Sequence, residues 1–203
     1  MTTNETFWFR DDAQFIEFKE HVLPEIFARK AGTVKVWSAA CSSGQEPYSM
    51  SMCVEDAIKR TKINRNVQII GTDISATILQ KAKAAVYSEM ALSRGLDSTT
   101  KNRFFQKIKA GYALNAEIKN RVRFQQFNLL KPFSVLGRFD AIFCRNVLIY
   151  FSAEMKRDIL SRMAHSLATG GYLFLSSTES MPAVIKEFKV VRRGRVCYFK
   201  KIT

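Results

Sequence analysis

Two acidic residues stand where ligand chemistry is easiest to build. Asp73 closes the apolar run VQIIGTDI (67–74), and Glu46 opens a helix-patterned segment, GQEPYSMSMCVEDAIKR (44–60), just after VKVWSAAC (34–41). A carboxylate offers two acceptor oxygens, matching the two hydroxyls of an adenosine ribose, so an acid at a strand end is a ribose-binding candidate. Asp73 also reads as an ordinary helix-start acid. It gains weight by falling one strand–helix unit after the turn at Gly44. That turn is built of small residues, Ser42, Ser43 and Gly44, which let backbone approach a ligand closely. Glu46 behind them either meets a cationic group of the ligand or simply complements a helix dipole. Two later apolar runs end in the pairs Asn128-Leu129 and Arg145-Asn146. An amide beside a leucine can read an adenine edge and cover its face, and Asn146 can hold the amino or carboxylate end of a ligand.

What is missing narrows the ligand. Gly44 is the only glycine of the first turn, a poor match to GxGxxG, and no phosphate-cradling lysine motif follows. A dinucleotide is disfavoured and a phosphate-free nucleoside is favoured. S-adenosylmethionine fits that description. The two histidines, His21 and His165, stand apart from the four scattered cysteines, and no CxxC pair exists. No metal site is expected.

These residues need elements to position them. Between Asp11 and about Arg29, apolar residues recur at helical spacing, and the strand 34–41 and helix 44–60 follow, with Pro47 suited to a first helical turn. Strand 67–74 leads into a helix that Ser75 can cap, running to about Val86. A less regular region, 87–121, holds a helix at 98–106 and a polar stretch able to form a short hairpin. Strands 122–128 and 139–145, a helix at 153–168, Gly170-Gly171 and a strand at 172–178 restore the alternation, and 188–201 reads as two strands joined through Gly194. The expected fold is α/β: a Rossmann-like parallel sheet with helices on both faces, an antiparallel C-terminal edge and a small inserted subdomain.

Composition sets outer bounds. The 203 residues are 47% hydrophobic and 25% charged, which suits one globular domain. Neither a secretory signal nor a membrane-spanning run is present, so a cytoplasmic location without membrane insertion is expected. A net charge of +14, spread along the chain rather than gathered in a tail, serves solubility or favours an acidic partner.

The segments TNETFWFRD, WSAACSSGQEPYSMSM, GTDIS, FNLL, FDAIFCRNVLIYF and GGYLFLSSTES, in this order, resemble the catalytic region of CheR-type chemotaxis receptor methyltransferases. The resemblance covers nearly the whole chain. It implies an S-adenosylmethionine-dependent protein-glutamate O-methyltransferase acting on the cytoplasmic domain of chemoreceptors, with S-adenosylhomocysteine as product. It implies further that Asn4, Thr6 and Arg10 close over the cofactor, that Glu46 contacts its methionine part and that Asp73 holds its ribose. Asn128, Leu129, Arg145 and Asn146 complete the pocket, with Ala40 and Gly44 in the first turn. An arginine after the first helix lies near the acceptor in this family, and Arg29 is the nearest match.

On this reading residues 1–31 form a linker and helix closing over the cofactor, and 32–203 form the methyltransferase domain with an insertion at about 87–121. Members of the family usually carry a separate N-terminal helical domain that helps dock the receptor. Here the motif begins at residue 3, so the sequence is expected to lack that domain, and an additional protein is a candidate to supply docking. The insertion QKIKAGYALNAEIKNR resembles the family's small β-subdomain but is shorter than in members that grip a receptor tail.

Methyl transfer to a carboxylate needs no general base, because Glu, with a pKa of about 4.3, is already ionised near neutral pH. Arg10 and Arg145 are therefore expected to order the pocket, with Tyr150 or Arg29 positioning the substrate. Tyr150 reads equally as an aromatic packing near a helix start, and the cluster Phe7, Trp8, Phe9 reads as core ahead of a ligand platform. Two rivals stay open: a nucleic-acid methyltransferase, which the charge suggests but the CRNVLIYF turn, unlike an NPPY turn, does not support; and a non-catalytic binder of the same cofactor or its product.

Overall fold

The computed structural model describes residues 5–183 and 185–203. The chain opens with a helical rod made of α1 (Asp12–Glu17), a π-helical turn (Phe18–Val22) and α2 (Leu23–Arg29). The sequence reads as one regular helix here. Pro24 has no N–H to give the preceding turn, and the wider π turn lies directly before it.

The main alternation follows: β1 (Val34–Ala39), α3 (Gln45–Thr61), β2 (Val67–Asp73) and α4 (Ala76–Ala84). Ser75 caps α4 by accepting from Ile78 N. The insertion contains β3 (Val86–Tyr87), α5 (Glu89–Ser93), α6 (Ser98–Phe104), β4 (Phe105–Ile108), β5 (Gly111–Leu114) and α7 (Ala116–Asn120). Then come β6 (Val122–Gln126), a 3-10 turn (Phe133–Leu136), β7 (Phe139–Cys144), a second 3-10 turn (Leu148–Tyr150), α8 (Ala153–Ser166), β8 (Leu167–Phe174), β9 (Phe188–Arg193) and β10 (Val196–Lys201).

Seven strands form one sheet in the order β6-β2-β1-β7-β8-β10-β9. The pairs β6/β2, β2/β1, β1/β7 and β7/β8 are parallel, whereas β10 runs antiparallel to β8 and to β9. The inserted strands make a separate antiparallel sheet, β3-β5-β4. The expected α/β sheet with an antiparallel C-terminal edge is thus present. Because the chain winds outward from β1 to β6 and returns to β7, the strand order reverses between β1 and β7. Ligands of such sheets bind there, beyond the carboxyl ends of the strands.

Alternation along the strands divides the core between the two faces. Val34 and Val36 of β1 join Phe18, Phe143 and Phe174 on one side; Trp37 and Ala39 join Phe133, Phe139 and Leu160 on the other. The rings of Phe143 and Phe174 stack at 4.3 Å. Trp37 donates to Thr72 Oγ1 at 2.9 Å, so even the polar atom of this buried ring is satisfied.

One strand differs from the sequence reading. β8 begins at Leu167, five residues before Tyr172, and runs through Gly170-Gly171. Its register with β7 shifts between Phe139 and Ala141, and a Cβ on Gly171 would lie 2.7 Å from Ala168 O. The glycine pair marks an irregularity inside the strand, not a turn before it.

Candidate active site

The crevice between β1 and β7 is a cavity of about 1090 Å3 including its mouth. Its floor starts at the end of β1. Cys41 N donates to Thr72 O at 2.8 Å, and the chain turns through Ala40 (φ +58°) and Ser42 (φ +50°), both left-handed. Non-glycine residues enter that region at a cost, and such positions concentrate at functional sites. Asp73 holds the turn: Ser42 N donates to its Oδ2 and Ser75 N to its Oδ1, each at 2.9 Å. Although only 7% exposed, each oxygen keeps a further acceptor lone pair toward the cavity that Asp73 lines.

Glu46 stands in the first turn of α3, with Ser38 Oγ donating to Oε1 at 2.7 Å and Arg145 Nη1 to Oε2 at 3.1 Å. Burial pushes its carboxyl above the usual range; the charge of Arg145 and the Ser38 hydrogen bond pull it back, and nearby Glu179 pushes it up again. The Arg145 side chain, 1% exposed, also donates to Arg10 O at 2.5 Å and Asp11 Oδ2 at 2.6 Å. Its guanidinium is therefore tied to protein carboxylates on two sides. Arg10 donates to Glu5 O at 3.1 Å and lies over the ring of Phe7. Together with Thr6, which also lines the cavity, this segment forms its roof.

On the opposite side Asn128 Oδ1 accepts from Leu130 N at 2.9 Å, which leaves the amide NH2 as a donor beside buried Leu129. Arg162 fixes that loop, donating to Leu129 O at 2.9 Å and Lys131 O at 2.7 Å. Asn146, left-handed at φ +57°, lines the cavity after β7, and Tyr150 stands at the mouth, 54% exposed. The Cys41 thiol is pushed well up by burial and by Asp73 and Glu46, so it stays protonated rather than nucleophilic.

Three expected residues are not among those brought together. Asn4 lies outside the described residues. Gly44, at φ +92°, sits under the turn: a Cβ there would meet Ala82 Cβ at 3.0 Å and the rings of Phe124 and Tyr48 at 3.2 Å. Its role is to permit the turn, not to line the cavity. Arg29 is a correction. It ends α2 against Gly170, donating to Thr169 O at 3.3 Å near the start of β8. That is the far end of the sheet from the crevice, so it does not position an acceptor there. Being the next arginine after the first helix does not determine which end of the sheet it faces.

Residues 4–197 match the family described as CheR methyltransferase, SAM binding domain. The chain belongs to this family. It is 46% identical over 196 residues to chemotaxis protein methyltransferase 1 of Pseudomonas aeruginosa, covering 95% of this chain and 72% of that protein. It is also 46% identical over 194 residues to the chemotaxis protein methyltransferase of Vibrio anguillarum, covering 95% of this chain and 70% of that one. The TehB-like SAM-dependent methyltransferase from Corynebacterium glutamicum, at 12% identity, shares the fold with a TM-score of 0.50 over 98% of this chain and 88% of its own.

The cofactor of this CheR-family domain is S-adenosylmethionine, and the donor set of the crevice fits it. Asp73 has acceptors to spare, Asn128 has a donor, the surrounding surface is largely apolar, and among the described residues no lysine lines the cavity. Sequence reasoning missed Glu5, Phe15, Ile74 and Phe127, which also line it. Ile74 had a usable signal, an apolar residue immediately after the strand-end acid. Of the FWF cluster, Trp8 is wholly buried while Phe7 lines the cavity, so the chain passes from site to core as it enters the turn at Trp8 and Phe9.

Proposed function

We propose that this chain methylates glutamate side-chain carboxylates on the cytoplasmic domain of chemoreceptors. The observation that supports this reading is the crevice itself, with acceptor capacity to spare on Asp73 and a Glu46 carboxylate already held by Ser38 and Arg145. Bound there, S-adenosylmethionine supplies an electrophilic methyl that an ionised carboxylate displaces directly. None of the described lining residues is a histidine, and a reaction with a carboxylate acceptor asks for none. Asp73 accepts from the ribose hydroxyls, while Asn128 and Leu129 hold the adenine. Ala40 lets the backbone come close, and Thr6 and Arg10 close the roof. Asn4 belongs to the same roof in this reading.

Arg145 does not clamp the attacking oxygen. A guanidinium there would stabilise the charged reactant more than a transition state in which charge is being annihilated. Tied to Glu46 and Asp11 instead, it keeps the pocket in shape and supports the contact of Glu46 with the methionine part. Ile74 and Phe151 exclude water, which favours charge annihilation. Tyr150 at the mouth guides the acceptor.

The test is to offer labelled cofactor with a receptor cytoplasmic fragment and, in parallel, with RNA, then map the label by mass. A methyl ester on a receptor glutamate is the expected result. Label on RNA alone, or cofactor binding with no transfer to any receptor, rejects the substrate assignment.

A further inference from the structure

The segment SSTES after β8 has no role so far, yet its last acid organises one wall of the crevice. Glu179 Oε1 accepts from Val147 N at 3.0 Å and Leu148 N at 2.8 Å; Oε2 accepts from Asn146 N and Ser176 N, each at 3.0 Å, and from Ser176 Oγ at 2.8 Å. Five donors converge on one carboxylate, and three of them are consecutive backbone amides. Successive N–H groups aimed at one point form an anion-binding nest, and here the protein fills the nest with its own side chain.

The position of that nest gives it consequence. Asn146 and Val147 line the cofactor crevice, and Leu148 begins the 3-10 turn that ends at Tyr150 on the mouth. The left-handed φ of Asn146, +57°, occurs at the first amide of the nest. No described bond other than those to Glu179 is made by these three amides.

We infer that Glu179 is a positioning residue for methyl transfer, holding the β7 loop so that Asn146 meets the cofactor and Tyr150 meets the acceptor. The inference rests on the methyltransferase reading above. Glutamine is a poor substitute, because its amide NH2 would face amide donors where an acceptor is required. Alanine leaves an empty nest that a small carboxylate can enter.

The test uses the full chain as wild type, Glu179→Gln and Glu179→Ala. Hydrogen exchange of the 146–148 amides in the ligand-free protein should speed up by about tenfold or more in both variants, with the melting temperature recorded to exclude global unfolding. Turnover should fall by about thirtyfold or more, while the Kd for S-adenosylmethionine rises by less than about tenfold. Added formate should restore part of the Glu179→Ala turnover, and chloride at equal ionic strength should not. Unchanged exchange of these amides, wild-type turnover in Glu179→Ala, or lost turnover that formate leaves untouched each overturns the inference. If wild type itself neither binds cofactor nor transfers methyl, the functional reading fails, and the exchange measurement still decides the role of Glu179 in the loop.

Discussion

Asp73 shows one carboxylate serving two ends at once. It fixes the turn after β1 through Ser42 N and Ser75 N, and it keeps lone pairs for hydroxyls of a ligand. Asp73→Asn should lower cofactor affinity by about 10- to 100-fold, roughly 1.4–2.7 kcal/mol, because its NH2 must confront either a backbone donor or a ribose hydroxyl. Titration calorimetry reads this directly, and unaltered affinity removes Asp73 from the ribose site. Arg10→Ala should weaken cofactor binding and turnover together, since Arg10 braces the roof through Glu5 O and Phe7. Lost turnover at unchanged affinity contradicts a bracing role. At this scale the strand-end residues were legible, because a parallel sheet carries ligands at known ends of its strands. Glu179 was not: its partners are backbone amides 31 to 33 residues away, which leave no trace in residue types. Arg29 misled for the converse reason, that a charged residue has no visible direction until its helix is packed.

Among the elements, the turn before α1 depends on a glycine far away in sequence. Trp8 N donates to Arg94 O at 3.1 Å, and a Cβ on Gly95, at φ +99°, would stand 2.0 Å from Trp8 O. Gly95→Ala should therefore destabilise the fold by about 1–3 kcal/mol and displace the roof. The expected signature is a lower melting temperature together with weaker cofactor binding; a variant as stable as wild type argues against this contact. Helices and strands of the alternation were readable from apolar spacing and caps. The π turn before Pro24 and the early start of β8 were not, since periodicity records which face is buried but not where hydrogen bonds slip by one residue.

The whole molecule contains a second charge network, partly buried around Glu55 and Arg121 and distant in role from the crevice. Burial alone would raise the Glu55 carboxyl, but the hydrogen bonds and charge of Arg121 and the contact with Lys59 bring it down to about 2. A folded value below the unfolded one gives stability that is complete above about pH 4.5 and drains away as pH falls toward 2. Denaturant titrations across that range should show a shallower loss for Glu55→Gln, though from a lower stability at pH 7, where Arg121 is left with a weaker partner. Identical slopes in both proteins remove Glu55 from acid unfolding. The sheet order as a whole was half legible. Strand–helix alternation implied parallel strands and the terminal hairpin an antiparallel edge, but register depends on side-chain fit across strands that no single strand reveals.

The roof of the crevice has a practical corollary. Glu5 lines the cavity, so a reporter group placed at that residue sits where ligand entry would change its surroundings. Thr203 instead follows β10, on the far flank of the sheet. A second reporter there serves as the silent control.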